Sequence, residues 1–143
     1  MKRKKAESGF TLLEVIIALI LVALAAALVG PEVMKYFEEG KVKAAKAQIE
    51  LFETSLKNYR LDVGHYPTTT EGLKALYERP AGPDGQKWNG PYIDDKIPKD
   101  PWQNEYQYIN PGIKNPHKVD IWSFGADGRE GGEGFNADIG NWD

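Results

Sequence analysis

The chain has 143 residues and a formal net charge of −3, from 18 Lys+Arg against 21 Asp+Glu, and it contains no cysteine. That length allows one small domain, and the missing thiol excludes a disulfide framework, a cysteine nucleophile and a thiolate metal site. Four of the basic residues and one acid lie in residues 1–9; the rest of the chain carries 14 basic and 20 acidic residues, a net of −6, which argues against nucleic-acid binding.

Lys2, Arg3, Lys4 and Lys5 form a basic tip, followed by Gly9-Phe10-Thr11-Leu12-Leu13-Glu14 and then by Val15 to Val29 without a charged or hydroxyl side chain. Phe10–Val29 is 20 residues, roughly 30 Å as a helix and enough to cross a bilayer core. Glu14 is the anomaly. A carboxylate in hydrocarbon costs about 2.5–3.5 kcal/mol on insertion scales, so it is a functional candidate by default. A plain signal anchor, with the basic tip in the cytoplasm, explains the run but not the acid. A secretory signal peptide has a cleavage option at Ala25-Ala26-Ala27, but its apolar region is shorter than this one. Only the pilin-type signal accounts for Gly9, Phe10 and Glu14 together, and these residues resemble the signal of type IV pilins and pseudopilins.

Gly30-Pro31 follows, where proline removes one backbone bond and crowds the carbonyl of Ala27. Helical periodicity then resumes. Val42, Ala45, Ile49, Phe52, Leu56 and Tyr59 recur at alternating spacings of three and four, a stripe along one face. The pattern predicts one long helix from Thr11 to about residue 60, kinked or loosened at Pro31, with its outer half packed on a small domain. Gly64 suits a left-handed cap. Thr68 or Thr69 is placed to cap a short helix through Ala75, and Arg79–Gly85 reads as loop. Glu105–Ile109 and Val119–Ser123 alternate as antiparallel strands, with a weaker third candidate at Tyr92-Ile93. The expected class is α+β, a long N-terminal helix on a small antiparallel sheet.

Gly125 to Gly140 holds six glycines and four acids in sixteen residues. Such a segment has little to bury and high chain entropy, so ordering it needs outside help. Calcium takes six to eight oxygen ligands, including carbonyls that glycine turns can aim inward. Asp127 and Asp138 flank the loop, although their spacing is not that of an EF-hand. Taken alone, such loops are more often solvated than metal-bound. His65 and His117, the only imidazoles, lie in loop contexts, and no phosphate loop or nucleophile elbow is present. Trp88, Trp102, Trp122 and Trp142 permit a sugar platform but read better as core.

Several segments together resemble the G family of type II secretion pseudopilins: Tyr66–Leu73 (Tyr-Pro-Thr-Thr-Thr-Glu-Gly-Leu), Gly90-Pro91-Tyr92-Ile93, Pro98–Trp102, Val119–Ser123 and Asp138–Trp142, with Gly9–Glu14 in front. The match runs in order along nearly the whole chain. It implies a non-enzymatic subunit with a pilin-like fold and a C-terminal calcium-binding loop. It implies a leader over 1–9, cut after Gly9 by a prepilin peptidase that methylates Phe10. It also implies a membrane and filament-core half over 10–30 and a periplasmic domain over 31–143, with the amphipathic helix to about 62 and the calcium loop over 124–140. Ca2+ ligands carried over are Asp127 and the carbonyls of Phe124 and Arg129, with Asp138 as the distal carboxylate and Gly132, Glu133 and Asn136 as its alternatives. Glu14 becomes an assembly residue, its carboxylate pairing with the freed Phe10 amine of an adjacent subunit. Expected partners are copies of the chain in a helical filament, minor pseudopilins, the inner-membrane platform, the secretion ATPase and the membrane itself, with no nucleic acid. The expected setting is the bacterial inner membrane, single-pass, with the domain in the periplasm, driving folded proteins through the outer-membrane secretin. Alternatives are a type IV pilus or competence pilin, and an anchored calcium- or glycan-binding module.

Overall fold

The computed structural model describes residues 8–143; the basic tip at Lys2–Lys5 and most of the expected leader lie outside the described residues. The chain forms two compact units, one ending at Phe37 and the other comprising Glu38–Asp143. Helix α1, Leu12–Val63, has 52 residues. Thr11 caps it: its hydroxyl accepts the Glu14 N–H at 3.2 Å, the Thr-x-x-Glu spacing of a capping box. The helix keeps its geometry through Gly30 and Pro31, so the loosened turn expected there is not found. One missing N–H leaves the hydrogen bonds of the flanking turns intact, and those suffice to carry the helix across.

In the first unit, the large apolar side chains from Phe10 to Phe37 are exposed. The helix includes an 18-residue window of mean hydropathy 3.0, none of it buried. An apolar surface of that length is stable only against lipid or other apolar surface.

In the second unit the stripe read from the sequence is the core. Ala45, Ile49, Phe52, Leu56 and Tyr59 are buried and Val42 packs against them. Phe52 meets Tyr106 edge-on at 5.1 Å, a geometry that adds about 0.5–1.5 kcal/mol to burial. Gly64, at φ 100°, ends α1 with its N–H on the Arg60 carbonyl at 2.8 Å. The expected capping threonine is Thr68. Its hydroxyl accepts the Glu71 N–H and Glu71 returns the bond to the Thr68 N–H, both at 3.1 Å. The helix that follows is only a 3-10 turn, Leu73–Leu76.

Two further expectations fail. Arg79–Gly85 is not all loop, because helix α2 begins at Pro83 and runs to Lys87; proline at a first helical position loses no bond. Tyr92-Ile93 is not a strand. The sheet consists of β1 (Gln107–Ile109), β2 (Asp120–Ser123) and β3 (Ile139–Gly140), antiparallel in the order β1-β2-β3. Tyr108 pairs with Ile121 and Ser123 with Ile139. The third strand thus comes from beyond the glycine-rich loop, and Tyr92 packs instead beside Tyr59 and Trp88.

Candidate assembly and cation sites

Two places carry residues singled out by sequence. The first is the start of α1. Gly9 and Phe10 precede the helix and are exposed, Phe10 at 87 %. Among the described residues no hydrogen bond or ion pair reaches the Glu14 carboxylate; the one contact there is the backbone capping bond from Thr11. Glu14 is therefore compatible with helix initiation, since an acid in the first turn complements the helix dipole. It still lacks a cationic partner at the edge of an apolar surface.

The second place is the loop from Phe124 to Gly140. Two buried acids organise its surroundings. Asp100 is 1 % exposed. Its Oδ1 accepts the N–H groups of Trp102 and Asn104 at 3.0 and 2.8 Å, and its Oδ2 accepts the Ser123 hydroxyl at 2.7 Å. Ser123 in turn accepts the Gly125 N–H at 3.1 Å, so one relay fixes where the loop leaves β2. Asp120 accepts the N–H groups of Ile113, Lys114 and Asn115 at 2.7, 2.8 and 3.0 Å. Sequence reading missed both roles, although each acid sits beside a turn whose backbone donors needed an acceptor.

Inside the loop the chain turns tightly. Gly125 has φ 78°, and a Cβ there would meet the Ala137 carbonyl at 2.6 Å; at Gly132, φ 98°, it would meet the Asn136 carbonyl at 2.5 Å. These two positions demand glycine for both dihedral and space. Asp127 is exposed and its Oδ1 accepts the Arg129 N–H at 3.1 Å. Arg129, Glu133 and Asn136 are exposed as well. Asp138 is half-buried, with Oδ2 accepting the Gly131 N–H at 3.2 Å, while Oδ1 is fully buried and has no hydrogen-bond partner. Glu130 was not selected from sequence, yet it lines the same small cavity as Asp138, of about 140 Å³, with Trp122 and Trp142.

No group of three acidic or imidazole side chains gathers around a metal-sized gap among the described residues. A cation here would rely on carbonyls and on few carboxylates, which suits calcium and not a transition metal. The orphaned Asp138 oxygen fits that requirement, because a buried unpaired carboxylate oxygen is costly. No arrangement of this unit suggests catalysis. Burial pushes the Tyr59 and Tyr108 phenols up and that of Tyr106 up to about 12, so none is ionised near neutrality.

Comparison with known proteins decides between the pilin-like readings. The model of type II secretion system protein G matches residues 32–142, and the prokaryotic N-terminal methylation motif matches residues 4–30. The chain belongs to the type II secretion protein G family. The type II secretion system core protein G of Pseudomonas aeruginosa is 44% identical over 142 residues, covering 99% of each chain. That of Vibrio cholerae is 43% identical over 143 residues, covering 99% of this chain and 96% of its own. The crystal structure of the major pseudopilin from enterohaemorrhagic Escherichia coli superposes with a TM-score of 0.64 at 36% identity, covering 76% of this chain and 92% of that one. The chain is accordingly a structural pseudopilus subunit of the type II secretion system and not an enzyme. Its apolar helix and methylation motif fit a membrane-anchored subunit.

Proposed function

We propose that the subunit is made as a membrane-anchored precursor, cut after Gly9 by a prepilin peptidase and methylated on the new Phe10 amine. The domain then faces the periplasm. Copies add to a growing filament driven by the secretion ATPase and the inner-membrane platform, with minor pseudopilins as further components, and the filament pushes folded proteins through the outer-membrane secretin. The single observation that carries this reading is the Gly9–Glu14 stretch in front of α1, with Glu14 lacking a partner among the described residues. An amine released at Phe10 of a neighbouring subunit is the complementary charge, and attraction between the two is strong where water is excluded. The mass of the mature N-terminus tests processing directly. A start at methylated Phe10 supports it; retention of Met1, or a start at Leu28 after an Ala-x-Ala cut, overturns it.

The same proposal gives the acidic loop a calcium ion. Asp138 Oδ1, buried and unpaired, supports it. Asp138 and Asp127 would supply carboxylate oxygens, and the carbonyls of Phe124 and Arg129 main-chain ones, with Gly132, Glu133 and Asn136 as the alternatives near the distal end. The ion would supply positive charge that holds the two ends of the loop together and takes no part in a reaction. Ser123 and Asp100, through the Gly125 N–H, hold the proximal end in place.

A further inference from the structure

The second unit carries an unfilled apolar groove of about 690 Å³. Leu51 and Phe52 of α1 line it with Ile93 and Ile97, and so do Asp94, Asp95 and Lys96, which leave its charged lining net acidic. Leu51 is 60 % exposed, although it lies next to a fully buried Phe52. Elsewhere on the same unit two large apolar side chains project into solvent, Leu61 at 82 % and Ile113 at 77 %. Only Ile113 stands among basic neighbours without an acid beside it in sequence, since Leu61 is followed by Asp62. The Ile113 turn, 112–118, is rigid, because the Asp120 carboxylate grips the N–H groups of Ile113, Lys114 and Asn115. Lys114, His117 and Lys118 give that turn a basic character, and all three are exposed.

The two features flank the buried stripe of α1 on opposite sides. At 100° per residue, the groove-lining positions Gln48, Leu51, Phe52 and Ser55 centre about 70° to one side of the stripe Ala45–Tyr59, and Glu53 lies about 80° to the other. Glu53 accepts from Asn141 Nδ2 at 3.0 Å, and Asn141 Oδ1 accepts from Asn115 Nδ2 at 3.2 Å, which places the 112–118 turn on Glu53's flank. A knob and a groove on opposite flanks cannot meet within one copy, and they cannot form a two-fold pair. Any contact between them would be head-to-tail, the kind that propagates.

From this arrangement we infer that the Ile113 turn of one subunit seats in the Leu51–Ile97 groove of the next, with Lys114 and Lys118 against Asp94 and Asp95. This rests on the filament reading and adds to it a lateral contact between the domains. The apolar fit supplies the attraction, and the opposite charges select the head-to-tail orientation over groove-to-groove or knob-to-knob encounters, where like charges would meet. Because Asp120 already orders the turn, docking loses little conformational freedom.

The chain has no cysteine, so thiol cross-linking reads the contact without background. The full chain is expressed with its secretion machinery as the Leu51→Cys and Ile113→Cys single variants and as the double variant, then oxidised. The expected result is a ladder of multimers from the double variant, and no cross-linked dimer from either single variant. Assembled filaments that give no ladder overturn the contact, as does a dimer from Ile113→Cys alone. A second arm guards against a variant that fails to assemble. Asp95→Lys and Lys114→Glu should each cut filament yield several-fold, and together restore most of it; two losses that accumulate without rescue overturn the pairing. If the unmodified chain forms no filament with its machinery present, the filament reading itself falls and this contact falls with it, an outcome distinct from filaments that form without cross-links.

Discussion

Asp120 is 2 % exposed, and its carboxylate takes three backbone N–H groups that no strand reaches, together with the Asn115 side-chain amide at 3.1 Å. Replacing it with alanine strands these donors, so Asp120→Ala should cost about 2–4 kcal/mol in chemical denaturation of the folded unit; a loss under about 1 kcal/mol would show that water satisfies the turn instead. His65 makes a different, pH-dependent contribution. Its Nδ1 faces the Tyr66 carbonyl and its Nε2 the Asp84 carboxylate, each at 2.9 Å. Both partners are acceptors, so both bonds are made together only by a ring bearing two protons. The Tyr66 carbonyl and then Asp84, with a smaller pull from Glu71, raise the imidazole above its ordinary 6.5 against the opposing effect of partial burial. A raised histidine stabilises fully below the unfolded value and loses that contribution as the pH climbs through the folded value. The stability gap between the native chain and His65→Gln should therefore be largest below the ordinary 6.5 and shrink as the pH rises past it. The ring is half-exposed, which limits the gap to about 0.2–1 kcal/mol. A gap that widens with pH would reverse the assignment.

At the scale of elements, the glycine-rich loop is where the proposed calcium ion would act. Calcium at an affinity of about 0.1–1 mM, the range of extracellular modules, adds about 1–2 kcal/mol at a few millimolar ion. Thermal unfolding of the domain should accordingly shift up by about 5–10 °C with calcium over chelator, and Asp138→Asn should remove the shift. Equal midpoints with and without the ion would leave Asp138 Oδ1 to be explained by a bound water. How far these elements were readable varies for physical reasons. The α1 stripe from Ala45 to Tyr59 was legible because burial on one helical face imposes its period on the residues themselves. The cap at Gly64 and the Thr68–Glu71 turn were legible because each is decided within a few residues. β3 was not, since Ile139-Gly140 is two residues long and becomes a strand only by pairing with Trp122 and Ser123. α2 hid inside Pro83-Asp84-Gly85, a turn by composition that happens to open a helix. In the loop, Asp127 and Asp138 stood out as acids at its two ends, but only burial distinguishes the unpaired oxygen of Asp138 from the solvated Asp127.

On the scale of the whole molecule, the first unit exposes the apolar side chains of a membrane-length helix and the second buries a core of its own. Glu14 is the only charged side chain between Gly9 and Val29. Glu14→Gln keeps size and the Thr11 cap while removing the charge. It should leave membrane insertion and N-terminal processing unchanged and reduce filament yield by tenfold or more, about 1.4 kcal/mol per decade; filaments of normal length and number from this variant would sink the proposed Phe10–Glu14 pairing. The fold of the second unit carries one more consequence, through the span of its cross-links. Asn141 reaches back 88 residues to Glu53, and Trp102 reaches back 64 to Glu38, where its indole N–H donates at 3.0 Å. Contacts of that separation form slowly, because a long stretch of chain must be gathered before any of them forms. The apolar face of α1 from Ala45 to Tyr59 is therefore covered only once segments distant in sequence have reached it. Until then a freshly made subunit carries an adhesive apolar face in addition to its membrane-length helix.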